Sequence, residues 1–132
     1  MPVLESSKND HVILSVDDNA LLRLTRRKIL EAEGYSVLSA ADGEEALSLF
    51  DGAAIDLVVL DLYMPGIDGL GVAQEMKAQR PLVPIILVSG RPTEEETPPC
   101  IDWVFVKGDD LGLLIAKVQQ LLEAAGKPDE NS

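Results

Sequence analysis

Val12-Ile13-Leu14-Ser15-Val16-Asp17-Asp18 is an apolar, β-branched run that stops abruptly on two acids. Two further runs end in a comparable way, Leu57-Val58-Val59-Leu60 on Asp61 and Val104-Phe105-Val106 on Lys107. Short runs rich in Val, Ile and Phe read as strands. Being apolar throughout, as Leu57–Leu60 is, suits a strand covered on both faces, as in a parallel sheet. In such a sheet the carboxyl ends of the strands share one edge, and ligands bind in the crevice there. Three carboxylates and an ammonium therefore meet at one place. The acids repel one another unless a hard cation sits among them, and an oxygen donor set of this kind suits Mg²⁺.

Outward from these runs, strands alternate with helical patterns, the signature of repeated βα units. Strands are expected at about His11–Val16, Tyr35–Ser39, Asp56–Leu60, Pro84–Val88 and Asp102–Val106. The first helix spans Asn19–Glu33, with Asn19 as N-cap, helical spacing through Leu22, Arg26, Ile29 and Leu30, and Gly34 just past its end. Asp42-Gly43-Glu44-Glu45 opens a short helix through Phe50. A Pro65-Gly66 turn leads to a helix over Asp68–Gln79. The closing helix covers Asp109–Ala125 and turns Leu111, Leu114, Ile115, Val118, Leu121 and Leu122 mostly to the sheet. Gly90 to Cys100 has no apolar face, and Pro98-Pro99 forbids a continuous helix through it. At most one turn fits, over Thr93–Thr97, so a mobile loop is expected where a fourth crossover helix belongs. Residues 1–10 and 126–132 read as polar tails around one domain at 11–125.

A chain of 132 residues is long enough for a real core. Acids outnumber bases 23 to 11, for a formal net charge of −12, which argues against direct nucleic-acid binding. Acidity of this kind serves solubility. Cys100 is the single cysteine, so no internal disulfide forms, which suits a reducing cytosol. His11 is the single histidine and belongs to no nucleophile or metal pattern. Residues 1–10 lack the apolar stretch of a signal peptide, and Leu82–Val88, interrupted by Pro84, is too short to span a bilayer. The expectation is a cytoplasmic protein without membrane contact.

The chemistry centres on Asp61. A carboxylate can act as a nucleophile toward phosphorus, giving an aspartyl phosphate. Two anions meet in that step, so a cation must join them, and Asp17-Asp18 supplies its ligands. The expected Mg²⁺ contacts are Asp18, Asp61 and the backbone carbonyl of Tyr63, with waters completing an octahedron and Asp17 orienting one of them. Ser89 can hydrogen-bond one phosphoryl oxygen while Lys107 pairs with another as a point charge. Positioning and charge neutralisation carry such a transfer.

Asp17-Asp18, Asp61 with Met64-Pro65-Gly66 and Gly69, Ser89-Gly90 and Lys107 come in that order at strand ends. Together they resemble the receiver domain of bacterial two-component response regulators, of the single-domain type, over essentially Val12–Leu122. The resemblance implies an α/β, flavodoxin-like, doubly wound fold of five parallel strands in the order 2-1-3-4-5. It implies Mg²⁺-dependent transfer of phosphate to Asp61 from a histidine kinase or histidine phosphotransfer protein. It also implies a signalling domain rather than an enzyme, one that promotes its own phosphorylation and dephosphorylation. In the family the position of Ser89 moves toward the phosphate and draws an aromatic side chain inward, a local charge event read by a bistable surface. Output is expected through the Arg91–Lys107 region to a downstream protein that the sequence does not name, from a monomer or weak dimer.

Two departures bear on that output. The aromatic position, three residues before the lysine, is Val104, flanked by Trp103 and Phe105. Either the switch is shifted or absent, or both rings simply pack at a sheet edge under the last helix. The family usually has proline after the lysine, often with a cis bond, where this chain has Gly108. A cis bond to a non-proline residue costs about 3–4 kcal/mol, so either a trans link or a re-aimed Lys107 is expected. Tyr63 and Arg91 flank the pocket and are candidates for shielding the phosphoryl group from water. Two rival readings stand beside this one. A receiver-like interaction module acting without phosphorylation would have no need to keep the repelling acids. A flavin-type phosphate binder would place donors, not Asp17-Asp18, after the first strand.

Overall fold

Strands that are apolar on both faces need cover on both faces, and this chain supplies it with helices from the crossovers. The computed structural model describes residues 11–64, 68–90 and 97–125. The strands are β1 (Val12–Val16), β2 (Ser36–Ala40), β3 (Leu57–Asp61), β4 (Ile85–Ser89) and β5 (Trp103–Val106). The helices among the described residues are α1 (Ala20–Ala32), α2 (Gly43–Gly52), α3 (Gly69–Gln79) and α4 (Leu111–Ala125). All five strands are parallel, in the order β2-β1-β3-β4-β5, the flavodoxin-like arrangement expected from the sequence.

The side-chain period of two sorts the strands onto two cores. Leu14, Val16, Val58, Leu60, Ile85 and Leu87 face α2 and α3, where Phe50, Val72 and Met76 are fully buried. Ile13, Val37, Val59, Ile86, Val88 and Phe105 face α1 and α4, where they meet Leu30, Leu114, Val118 and Leu122. The helices start on caps legible in the sequence. Asn19 Oδ1 accepts from the Leu22 N–H at 3.0 Å, Asp42 Oδ1 from Glu45 at 2.8 Å and Asp68 Oδ1 from Gly71 at 2.9 Å. Gly34 follows α1 with φ +99°, and its N–H returns to the Glu31 carbonyl at 2.9 Å.

Several boundaries differ from the sequence reading by a residue or two, with local causes. β2 starts at Ser36 rather than Tyr35 because the Tyr35 N–H bonds back to Leu30 at the end of α1. β3 and β4 include Asp61 and Ser89 because the ladder continues past them, Leu62 N–H to the Val88 carbonyl and Lys107 N–H to the Ser89 carbonyl. α4 starts at Leu111 rather than Asp109 because Asp109 closes a turn onto Val106 and Asp110 Oδ1 accepts from Gly112. Leu111, expected to cover the sheet, opens that helix and is 38% exposed.

The same period of two settles the aromatics of β5. Trp103 and Phe105 join the core under α1 and α4, their ring centroids 6.1 Å apart, whereas Val104 packs toward α2 and α3. Both rings therefore pack on the face opposite Val104. The expected loop and single turn over Thr93–Thr97 fall largely on 91–96, outside the described residues. From Thr97 the chain is not helical; it turns, Ile101 N–H to Pro98 carbonyl, and buries Cys100 and Ile101 in the core.

One glycine is placed where only glycine fits. A Cβ on Gly69 would lie 2.4 Å from the Asp61 carbonyl oxygen and 2.8 Å from Leu62 Cα, both backbone atoms. The start of α3 therefore leans directly on the end of β3. Gly69→Ala is expected to cost about 1–3 kcal/mol by overpacking, read as a lower urea midpoint at unchanged m-value. A neutral substitution would mean that the helix start can retreat from the strand.

Candidate functional site

The carboxyl edge of the sheet gathers its charges from β1, β3, β5 and α1. Asp17 continues the β1 ladder by donating its N–H to Ala40, and Asp61 ends β3. Asp17 is fully buried and Asp61 is 2% exposed, while Asp18 turns to water. One carboxylate oxygen from each of the three lies within 4.8 Å of the others. This is the donor set of a hard divalent cation, so the residues present fit the Mg²⁺ expected from the sequence.

Two protein cations already stand against the buried acids. Lys107 Nζ lies 3.4 Å from Asp61 Oδ1 and 3.5 Å from Oδ2. It is carried there by a turn in which Asp109 N–H bonds to the Val106 carbonyl at 3.0 Å and Gly108 takes φ +96°. Glycine adopts that left-handed conformation without steric cost. No peptide bond among the described residues is cis, so the link after Lys107 is trans and the ammonium still reaches Asp61. The second cation is Arg26, whose Nη2 lies 3.2 Å from Asp17 Oδ2. Asp17 Oδ1 accepts from the Asn19 N–H at 2.9 Å, and Arg23 Nη1 donates to the Asp17 carbonyl at 2.9 Å.

Of the other residues singled out from the sequence, Ser89 ends β4 and is buried beside this edge. Tyr63 follows two residues after Asp61, with its side chain 72% exposed. Arg91 lies outside the described residues. Arg26 was not among the expected site residues; in the sequence it reads as one member of a helical stripe. Its signal was available, a charged residue between Leu22 and Leu30 at four-residue spacing, on the helix that follows the acid pair.

The environment acts on Asp61 in opposing directions. Burial, then the neighbouring Asp17 charge, raise its proton affinity above the ordinary value, while Lys107 and Arg26 lower it. The net direction is upward. A carboxyl crowded in this way is held at the sheet edge against its own preference for water.

Comparison with known proteins came to the same region of the chain. The family model described as the response regulator receiver domain matches residues 13–103. The chain is 51% identical over 77 residues to a probable transcriptional regulator ycf27 of Porphyridium aerugineum, covering 58% of this chain and 32% of that protein. It thus spans about a third of the length of the first such relatives. Among solved structures it is similar to the response regulator TrrA of Thermotoga maritima in complex with Mg²⁺-BeF, with TM-score 0.80, 36% identity and coverage of 85% of this chain and 99% of that one. TrrA also matches as solved in complex with the histidine kinase ThkA, with TM-score 0.79, 36% identity and coverage of 86% and 99%. A CheY-like receiver domain protein from Methanospirillum hungatei superposes with TM-score 0.84 at 26% identity, covering 89% and 98%.

The raised proton affinity of Asp61 has a sign that can be checked. In the folded chain Asp61 keeps its proton at pH values where the unfolded chain has lost it. Metal-free stability is therefore lost as pH rises from the ordinary value of 3.8 through the raised one. Asp61→Asn removes that loss. In chelator, its melting temperature is expected to match the parent's most closely at the acid end, to rise above it with pH, and then to level off. A difference between the two proteins that does not vary with pH would contradict the assignment.

Proposed function

Because the chain belongs to the response regulator receiver domain family, we propose that Asp61 is its phosphoacceptor in two-component signalling, taking the phosphoryl group from a histidine kinase or histidine phosphotransfer protein. The observation that carries this reading is the position of Asp61, a buried carboxylate at the end of the central strand with Lys107 at 3.4 Å and Asp17 and Asp18 within 4.8 Å. TrrA, similar over most of this chain, has been solved both with Mg²⁺-BeF and with a histidine kinase, which supports the same cation and the same class of donor here.

An Asp61 oxygen attacks phosphorus in line with the departing nitrogen of a phosphohistidine. The P–N bond breaks with its electron pair left on the imidazole, and the new P–O bond makes an acyl phosphate. Lys107 faces the Asp61 carboxylate and moves to a phosphoryl oxygen as charge builds there. The Ser89 hydroxyl donates to another. Asp18, Asp61 and the Tyr63 carbonyl would hold Mg²⁺, which when bound would neutralise the charge between the carboxylate and the incoming phosphoryl group. Asp17, with its two oxygens on the Asn19 N–H and Arg26, would serve the ion through water. Tyr63, exposed two residues after Asp61, is a candidate for limiting the access of water to the acyl phosphate, and Arg91 is a second by its place in the sequence.

With Trp103 and Phe105 on the far face of β5, no aromatic neighbour of Val104 is available to follow Ser89 inward. Readout therefore runs through the chain between Ser89 and Lys107 itself, toward a protein partner. The domain spans 11–125 with polar tails at either end, works in the cytoplasm as a monomer or weak dimer, and touches neither nucleic acid nor membrane directly. No helix among the described residues is long and apolar enough to cross a membrane.

Intact-protein mass spectrometry after incubation with acetyl phosphate tests the acceptor chemistry. One phosphoryl adduct is expected with Mg²⁺, none in chelator and none in Asp61→Asn. Lys107→Ala is expected to slow its formation by roughly a hundredfold, the scale for removing one donor to developing charge. A folded sample that binds Mg²⁺ yet takes no adduct would contradict the reading and favour an unphosphorylated interaction module.

A further inference from the structure

Arg26 occupies a buried place on α1 that packing alone would fill with an apolar side chain. Only Arg26 and Leu30 of α1 are buried, and position 26 follows Leu22 and precedes Leu30 by four residues each. An apolar side chain would suit such an inward position. The Arg26 side chain is instead 9% exposed, with Nη2 on Asp17 and Nη1 buried without a partner among the described residues. Ser15 Oγ and Ser39 Oγ, cross-strand neighbours on the sheet face that α1 covers, are likewise buried and unpartnered. Burying an ion pair brings little net stability, and leaving part of the guanidinium unpaired costs more. Packing does not account for this residue.

Charge does. Two protein cations pair with the three clustered carboxylates, Lys107 with Asp61 and Arg26 with Asp17, and Arg23 on the Asp17 carbonyl adds to the compensation of their charge. A divalent ion arriving there meets a weaker field than three uncompensated acids would present. It also meets an Asp17 whose two oxygens are already taken, by Arg26 and by the Asn19 N–H.

We propose that Arg26 is a resident counter-cation of the acid cluster, which lets the acids fold together without a metal, keeps Asp17 from direct contact with the ion and lowers the site's affinity for Mg²⁺. Arg26 is thus a positioning residue acting through Asp17. The inference rests on the reading of the cluster as a Mg²⁺ site and adds to it a device that sets how much Mg²⁺ the domain needs.

The test is calorimetric titration of Mg²⁺ into the full chain and into Arg26→Gln and Arg26→Lys, with melting curves in chelator and in Mg²⁺. Arg26→Gln is expected to bind Mg²⁺ about tenfold tighter, since a like charge has left the vicinity of the ion. It should melt below the parent in chelator and recover most of that loss in Mg²⁺. Arg26→Lys, which keeps the charge, should bind as the parent does. If Arg26→Gln is unfolded in chelator, folding driven by Mg²⁺ supports the inference and unfolding that Mg²⁺ does not reverse overturns it. Unchanged or weaker binding by folded Arg26→Gln, or an Arg26→Lys that behaves like Arg26→Gln, overturns the counter-cation role while leaving the Mg²⁺ site intact. No uptake by the parent or by any variant overturns the Mg²⁺ reading itself, and the inference with it.

Discussion

Mutual repulsion among carboxylates at one sheet edge is the constraint on which this molecule turns. Asp17, Asp18 and Asp61 approach within 4.8 Å, and two of them are buried, where an unpaired charge is costly. The chain answers with one cation for each buried acid, and it draws those cations from distant parts of the sequence. Lys107 comes from the end of β5, Arg26 from the second turn of α1. The acid cluster is therefore complete only when β1, β3, β5 and α1 are assembled, so the contacts that shape it also report that the fold is finished. Even so compensated, burial and the neighbouring Asp17 charge hold Asp61 above its ordinary proton affinity.

Supporting interactions divide between the two ends of the sheet. At the end away from the site, Asp56 accepts the Val12 N–H at 2.8 Å, and Asp102 accepts both Lys77 Nζ at 2.8 Å and the Ile85 N–H at 2.7 Å. These charges tie helix and strand ends together and point to stability rather than chemistry. At the site end the backbone does the positioning. Gly69 lets α3 start against the Asp61 carbonyl, and the positive φ of Gly108 turns the chain just after Lys107. The crevice at the carboxyl edge of an open parallel sheet is thus lined by side chains whose directions are set by two glycines and a ladder extended by one residue past β1.

Most of this was legible in the sequence because the signals were local. Continuous apolar runs marked the strands, Asn19, Asp42 and Asp68 marked the helix starts, and the acids and lysine stood at strand ends where topology had to bring them together. What was not legible depended on direction in space. Arg26 shows in the sequence only as a charge within the helical spacing of α1; that it meets Asp17 nine residues earlier follows from how α1 packs on the sheet. Trp103 and Phe105 flank Val104 in sequence, yet the pleat of β5 puts them on the other face, a distinction that depends on where the strand's faces point. Gly108 could have re-aimed Lys107; a trans link and a positive φ were enough to bring it to Asp61.

The most direct measurement is anomalous diffraction from crystals of the chain soaked in Mn²⁺, an ion with the same preference for oxygen ligands in octahedral array. A single strong peak is expected in contact with Asp18, Asp61 and the Tyr63 carbonyl, with Arg26 still on Asp17 and Asp17 reaching the ion only through water. No peak at the acid cluster, or an ion bound directly by Asp17 with Arg26 displaced, would contradict the account.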